Sequence, residues 1–486
     1  MLDRKSAPVL VHDTLLLFGA TGDLSQRYLF PSLVHLLRDR LLPVDFRLIA
    51  IGRQDYDQEG FKSWLREQLP DQATRNREAF NELLARTRYV AVNLSDSADM
   101  SRLLSEFSDR PCVSYLAIPP HLFTATCEGL QAAGLLAEPS RLVLEKPIGH
   151  DLSSSRFINA TLRGYLDESR IFRIDHYLGK APVQNLLALR FGNTLMEAVW
   201  HNRWIESVDI LVAETAGVDG REGYYAQYGA LRDMVQNHML QLLALIAMEP
   251  PGSLDADSLR DEKRKVLRAL RPMTAGDVAR DSVRGRYQAG VVDGHAVPGF
   301  DHPSDCETFV ALRAHIDNWR WAGVPFRLVT GKRLAQRTTE VVVSFKPVSH
   351  WIFDRPPHSG ATPNRLLMRL QPEENIELGL MGSLAAPEWS GTELQPLSLD
   401  LGMSATPQRR IAYERLLLDA LHGNQALFVT GDEVEAAWSW IDSVSEAWSD
   451  AGVHAKSYPA GSWGPPEASD FLPVTVPSTK RPMRKA

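Results

Sequence analysis

Hydrophobic residues open the chain in short unbroken runs. Thr14-Leu-Leu-Leu-Phe18 is apolar at successive positions, the pattern of a strand buried on both faces of a parallel sheet. Gly19-Ala-Thr-Gly-Asp-Leu-Ser25 follows at once, and Leu29, Leu33, Leu36 and Leu37 then recur at helical spacing. Phe46-Arg-Leu-Ile-Ala-Ile-Gly52, Val113-Ser-Tyr-Leu-Ala-Ile118 and Arg141-Leu-Val-Leu-Glu145 repeat the first pattern and predict further parallel strands. Strand, glycine-rich turn and helix in that order predict a Rossmann-type, doubly wound α/β domain over residues 1–175.

Beyond that point the spacing changes. Val183–Arg190 reads as a helix, and Ile205–Glu214 as a strand ending on an acid. Gly217, Gly220 and Gly223 then make a flexible crossing into a long helical pattern, Tyr225–Met248, which stops before Pro250-Pro251. From Ser282 onward, apolar residues alternate in Thr308–Ile316, Phe326–Thr330, Glu340–Phe345, Arg365–Leu370 and Ile376–Met381, predicting an antiparallel sheet. Two helices close the pattern, Gln408–Leu421 ending at Gly423 and Glu433–Trp448 capped by Thr430 or Asp432. Residues 176–486 are expected to form a larger α+β domain. His350–Thr362 and the tail after about residue 465 read as loop.

Composition narrows the function classes. Lys and Arg total 53 against 60 Asp and Glu, and the net charge of −7 with no basic stripe argues against nucleic-acid binding. Lys480, Arg481, Arg484 and Lys485 lie among prolines and read as a disordered end. Cys112, Cys127 and Cys306 are too few, and lack metal spacing, so free thiols in a reducing compartment and no metal are expected. Asp3, Arg4 and Asp13 interrupt any apolar signal segment, and no run is long and apolar enough to span a membrane. A soluble cytoplasmic protein is the expectation.

Candidate chemistry concentrates at strand ends. The turn Gly19, Ala20, Thr21, Gly22, Asp23, Leu24 lets a backbone approach a pyrophosphate closely, with the helix N-terminus facing it. NAD-specific folds commonly place an acid after the second strand; here Arg53 stands there, which suits a 2′-phosphate and favours NADP over NAD. Lys146, just outside the carboxyl edge, is a candidate contact to the nicotinamide ribose or the substrate. Arg173-Ile-Asp-His-Tyr-Leu-Gly-Lys180 packs carboxylate, imidazole, phenol and ammonium into one strand-to-helix corner. If the chain turns after Asp175, then His176, Tyr177 and Lys180 share a side and form a donor cluster suited to a phosphate dianion. In the long helix, Asp233 precedes His238 by five residues, about 140° round an ideal α-helix, so the two are expected to point in different directions. Gly331-Lys-Arg-Leu-Ala-Gln-Arg337 is a basic loop able to reach an anionic ligand.

Taken together, Gly19–Leu24, Glu145-Lys-Pro147, Arg173–Lys180 and Arg232-Asp-Met-Val-Gln-Asn-His238 resemble the signature set of the glucose-6-phosphate dehydrogenase family. Gly323-Val-Pro-Phe326, Gly331-Lys332 and Tyr413-Glu-Arg-Leu-Leu417 extend the resemblance over nearly the whole chain. It implies oxidation of β-D-glucose 6-phosphate at C1 by NADP⁺, with NAD as second choice, in a homodimer or homotetramer built on the second domain's sheet. It implies His238 as general base and Asp175 as its orienting partner. His176, Tyr177 and Lys180 are implied at the phosphate, and Glu214 and Asp233 at the sugar hydroxyls. Lys332 and Arg337 are implied as basic residues closing the substrate site, Arg53 at the 2′-phosphate, and Lys146 shared between substrate and cofactor. Ala181 stands where the resemblance leads one to expect glutamate. Two other readings remain: a different NADP-dependent sugar oxidoreductase, which has no need of the phosphate cluster, and a catalytically silent NADP-binding sensor, which would be expected to have lost Asp175 or His238, both present here.

Overall fold

The computed structural model describes residues 11–96, 98, 100, 104–302, 305–352, 364–383, 394–401 and 412–476. The start of the helix expected from Gln408, most of the loop expected over 350–362 and the basic tail lie outside them. Among the described residues no helix is long and apolar enough to cross a membrane.

The chain forms two compact units, neither of them one continuous stretch. The first comprises Met1–Ala181, Pro251–Glu262 and Gln408–Glu435. Its strands are β1 (Thr14–Phe18), β2 (Arg47–Gly52), β3 (Thr87–Ala91), β4 (Val113–Leu116), β5 (Arg141–Leu144) and β6 (Ile171–Ile174). They pair in parallel in the order β6-β5-β4-β1-β2-β3, and the short strand Phe428–Val429 adds antiparallel to β6. All five residues of β1 are buried, as its unbroken apolar run requires. Strand order reverses between β1 and β4, so the turn after β1 opens at the switch point where such sheets bind ligands. One face is packed by Leu29, Leu33, Leu36 and Leu37, the helical leucines of the sequence pattern, with Phe80, Leu83 and Leu84 beside them. Tyr413, Leu416, Leu417, Ala420, Leu421 and Phe428 complete that same core.

The second unit comprises Pro182–Pro250, Lys263–Pro407 and Ala436–Ala486. Its strands are β7 (Ile205–Ala213), β8 (Ser282–Gln288), the small hairpin β9 (Gly290–Val292) and β10 (His295–Val297), then β11 (Phe309–Ala314), β12 (Phe326–Gly331), β13 (Thr338–Phe345), β14 (Arg365–Gln371), β15 (Asn375–Ser383) and β16 (Leu394–Asp400). The main sheet runs β16-β15-β14-β13-β7-β12-β11-β8, with Lys456–Pro459 beyond β8. Pairing is antiparallel as expected except at two places. β7 lies parallel to β12, and Lys456–Pro459 lies parallel to β8. Tyr287, Phe309, Tyr458 and Phe471 pack with Leu211, Ala311 and Val329 into one core, the Phe, Leu and Val side chains each contributing about 1.5–3 kcal/mol on burial.

The long helix of the sequence pattern is present but not uniform. It runs as α-helix over Glu222–Ala230, as π-helix over Leu231–Met239 and as α-helix again over Leu240–Ala247. Gly229 breaks the first junction with φ +62°, and a Cβ there would meet Glu307 Oε1 at 2.3 Å.

Candidate functional site

In the first unit the turn after β1 is closed by its own backbone and side chains. Gly19 has φ +77°, and a Cβ on it would lie 2.2 Å from the carbonyl oxygen of Ala117, so glycine alone fits against the strand exit beside it. Gly22 N and Ser25 Oγ both donate to the Gly19 carbonyl at 2.9 Å, and Gln26 Nε2 donates to the Thr21 carbonyl at 2.8 Å. Asp23 is ion-paired with Arg27 at 2.6 Å on the surface. Arg53 is exposed one residue beyond β2, the strand next to β1. A strand, a glycine turn and a helix at the switch point, with a free-standing arginine on the adjacent strand end, fit a phosphate-bearing dinucleotide.

At the far side of the same carboxyl edge, Asp175 directly follows β6 and is buried. Its Oδ1 accepts from Tyr177 N at 2.9 Å, and its carbonyl accepts from Leu178 N at 3.1 Å. That side-chain turn reverses the chain at the point the sequence called for. The consequence is the expected grouping: Lys180 Nζ stands 3.4 Å from the centre of the Tyr177 ring, and the His176 and Tyr177 rings are 5.2 Å apart. Lys146 is half-buried beyond β5, joined to Pro147 by a cis peptide.

In the second unit the parallel pairing of β7 and β12 sets two more predicted residues side by side. Ala213 and Gly331 are partners in register, so Glu214 and Lys332, the residues that follow each, form an ion pair. Tyr458 donates to the Lys332 carbonyl at 2.7 Å and fixes its backbone. Lys332 Nζ lies 5.6 Å from the centre of the Tyr225 ring. Arg337 is exposed just before β13 and does not join that pair.

Asp233 and His238 are both buried on the π-helical stretch. The stretch is wound differently from the ideal α-helix expected there: its hydrogen bonds close from i to i+5, which brings residues five apart closer to one side than the about 140° of an ideal α-helix. Tyr224 donates to Asp233 Oδ1 at 3.4 Å. Glu307, which the sequence did not single out, seats the start of this stretch: its carbonyl accepts from Ala230 N at 2.9 Å and its Oε1 from Leu231 N at 3.1 Å. Arg284 holds its other oxygen at 3.0 Å.

Two further residues escaped assignment although their stretches were quoted. Glu145 and Tyr413 are both buried in the first unit. Burial pushes the Glu145 carboxyl up to about 7, against the opposing hydrogen bond of Tyr115. A cavity of about 640 Å³ in the second unit, lined by Glu206, Arg271, Arg280, Arg313 and Arg327 among others, contains none of the predicted residues. Its arginines are already paired, Arg271 with Asp317, Arg280 and Arg313 with Asp281, and Arg327 with Asp209.

Family models match almost the entire chain. The NAD binding domain of glucose-6-phosphate dehydrogenase matches residues 16–185, and the C-terminal domain of the same enzyme matches residues 187–476. Glucose-6-phosphate 1-dehydrogenase of Zymomonas mobilis is 46% identical over 469 residues, covering 94% of this chain and 96% of its own length. The Mycolicibacterium smegmatis protein of the same name is 44% identical over 491 residues, covering 97% of this chain and 98% of its own. A solved structure of glucose-6-phosphate dehydrogenase in complex with glucose-6-phosphate is similar with a TM-score of 0.85 at 34% identity, covering 96% of this chain and 98% of that one.

Proposed function

Because the chain belongs to the glucose-6-phosphate dehydrogenase family, we propose that it oxidises β-D-glucose 6-phosphate at C1 to 6-phosphoglucono-δ-lactone, preferring NADP⁺ to NAD⁺. The observation that carries the substrate half of this reading is the convergence of His176, Tyr177 and Lys180 at the corner after β6. An imidazole, a phenol and an ammonium turned to one side can satisfy a phosphate dianion with charge-assisted hydrogen bonds. Glu214 and Asp233 are acceptors suited to sugar hydroxyls, and Lys332 is ion-paired with Glu214. Arg337, with Lys332, closes the sugar phosphate's side of the site.

The chemical step needs a base for the C1 hydroxyl proton and an acceptor for the C1 hydrogen. His238 takes the proton, because an imidazole with a reference value near 6.5 accepts one at neutral pH, and Asp175 orients the ring and stabilises the imidazolium. A nicotinamide dinucleotide, when bound, accepts the hydride. Gly19, Ala20, Thr21, Gly22, Asp23 and Leu24 form its pyrophosphate cradle, Arg53 takes the 2′-phosphate, and Lys146 contacts both ligands.

Assembly as a homodimer or homotetramer belongs to the same proposal. Leu397, Leu399 and Leu401 are exposed in one row at the outer edge of the nine-stranded sheet, which is the kind of apolar edge a partner copy covers.

Initial rates with His238→Asn test the assignment of the base. Wild type is expected to turn over glucose 6-phosphate. The variant should lose about 10²–10⁴-fold in kcat while its Kd for the sugar phosphate, by calorimetry, stays close to wild type. A variant with near-normal kcat refutes the base. A wild-type protein that binds NADP but turns over no sugar phosphate refutes the enzyme reading and favours a sensor.

A further inference from the structure

Two stretches singled out in the sequence contain a residue with no part in the reaction so far: Glu145 of Glu145-Lys-Pro147, and Tyr413 of Tyr413-Glu-Arg-Leu-Leu417. They lie far apart in the chain, yet both belong to the first unit and meet there. Glu145 follows β5 and is buried, with Tyr115 of β4 donating its hydroxyl to Oε1 at 2.6 Å. Tyr413, near the start of the helix Ala412–His422, is buried beside the same Glu145 carboxylate, which acts on its hydroxyl. The ring of Tyr413 in turn stacks on the imidazole of His176, with centroids 6.0 Å apart and planes inclined by 19°. Tyr413 also meets Tyr28, with ring centroids 5.5 Å apart. The next residue, Glu414, holds His35 at 2.8 Å and anchors the helix start.

We propose that Glu145 is a positioning residue for the substrate phosphate: it fixes the Tyr413 ring by its hydroxyl, and that ring sets the plane of His176. The physical reason is economy of motion. A histidine on a turn has two free torsions, and a stacked ring removes most of that freedom only if the ring itself is held. Tyr413 is held at its tip by a buried acceptor and at its root by a helix, so the His176 imidazole meets an incoming phosphate already aligned. Glu145 is also chemically matched to the task. A buried carboxylate can accept from both tyrosines at once, whereas a glutamine offers one acceptor oxygen and turns its NH₂ toward the other hydroxyl.

This inference rests on the reading of His176 as a phosphate contact, and its test separates the two. The enzyme would be assayed as wild type, Glu145→Gln, Tyr413→Phe, the double variant, and His176→Ala. We expect KM for glucose 6-phosphate to rise about tenfold in Glu145→Gln and in Tyr413→Phe, with kcat and the KM for NADP close to wild type. The double variant should be no worse than either single one, because both cut the same link. General damage to the fold would instead lower kcat, raise both KM values and add up in the double variant. If His176→Ala raises KM but neither Glu145→Gln nor Tyr413→Phe does, the positioning role is wrong and the phosphate contact stands. If His176→Ala leaves KM unchanged, the phosphate contact is wrong and the positioning role falls with it. Should Glu145→Gln fail to fold, Tyr413→Phe, which removes one hydroxyl from the same link, decides.

Discussion

Arg53 stands exposed one residue beyond β2, and the Gln54 that follows is pinned by Thr21 Oγ1 at 2.5 Å and by Tyr89, whose hydroxyl donates to the Gln54 carbonyl at 2.7 Å. A fixed backbone under a free guanidinium is what selection of a 2′-phosphate needs, since the charge-assisted pair is made only by NADP. Arg53→Ala should therefore lower kcat/KM with NADP by about 10–100-fold and leave kcat/KM with NAD nearly unchanged; an equal loss with both cofactors would remove Arg53 from the discrimination. Glu145 makes a second prediction of a different kind. Its carboxyl is raised from 4.5 to about 7, chiefly by burial, so between those values the folded state binds a proton that the unfolded state has released. Stability contributed by that group is full below about pH 4.5 and is lost as pH rises through about 7. Asp209, raised by burial to about 6 beside Arg327, acts with the same sign. Urea titrations should show Glu145→Gln losing less stability than wild type between about pH 5 and pH 8, with a residual slope from Asp209. At this scale the sequence was most readable where partners are close in the chain: the turn at Asp175 and the grouping of His176, Tyr177 and Lys180 follow from spacing alone. The Glu145–Tyr413 link was not readable, because nothing in either stretch specifies a partner some 270 positions away.

Among the elements, the π-helical stretch Leu231–Met239 is the one on which the proposed chemistry depends. Apolar spacing announces a helix over this region, but nine residues are too short a stretch for that spacing to tell one helical form from the other. The hydrogen-bond pattern that decides between them leaves no such trace, so the relation of Asp233 to His238 could not be read beforehand. What fixes the stretch is its entrance: Gly229 with φ +62° and Glu307 accepting from the first free amides. Gly229→Ala should destabilise the protein by about 1–3 kcal/mol from backbone strain alone, with more from the collision with Glu307. Its kcat should fall out of proportion to the stability loss, read by comparing urea midpoints with initial rates at a temperature where the variant remains folded. The pair β7 and β12 teaches a related lesson. Alternation predicts strands but is blind to direction, and two strands separated by more than 100 residues carry no turn signal to reveal a parallel match. Yet that match is what seats Glu214 against Lys332.

For the whole molecule, the order of an α/β half followed by an α+β half was legible, because runs buried on both faces give way to alternating ones. The assembly proposal can be examined at this level. Leu397→Lys and Leu399→Lys together should shift the particle from a dimer or tetramer toward a single chain in light scattering if the exposed leucine row of β16 is covered by a second copy. Unchanged mass would move the contact elsewhere.

The first unit's core has a further consequence for how the protein comes into being. Tyr413, Leu416, Leu417, Ala420, Leu421 and Phe428 are as much part of that core as Leu15 or Phe30, but a ribosome delivers them about 240 residues or more after β6 is complete. The nucleotide-binding half is therefore not a portable module. A nascent chain must carry it with an apolar face open to solvent through most of its synthesis, and a fragment ending at residue 181 should precipitate or bind a chaperone instead of folding. Supplying residues 408–435 as a separate peptide is the direct way to learn whether that missing wall is all it lacks.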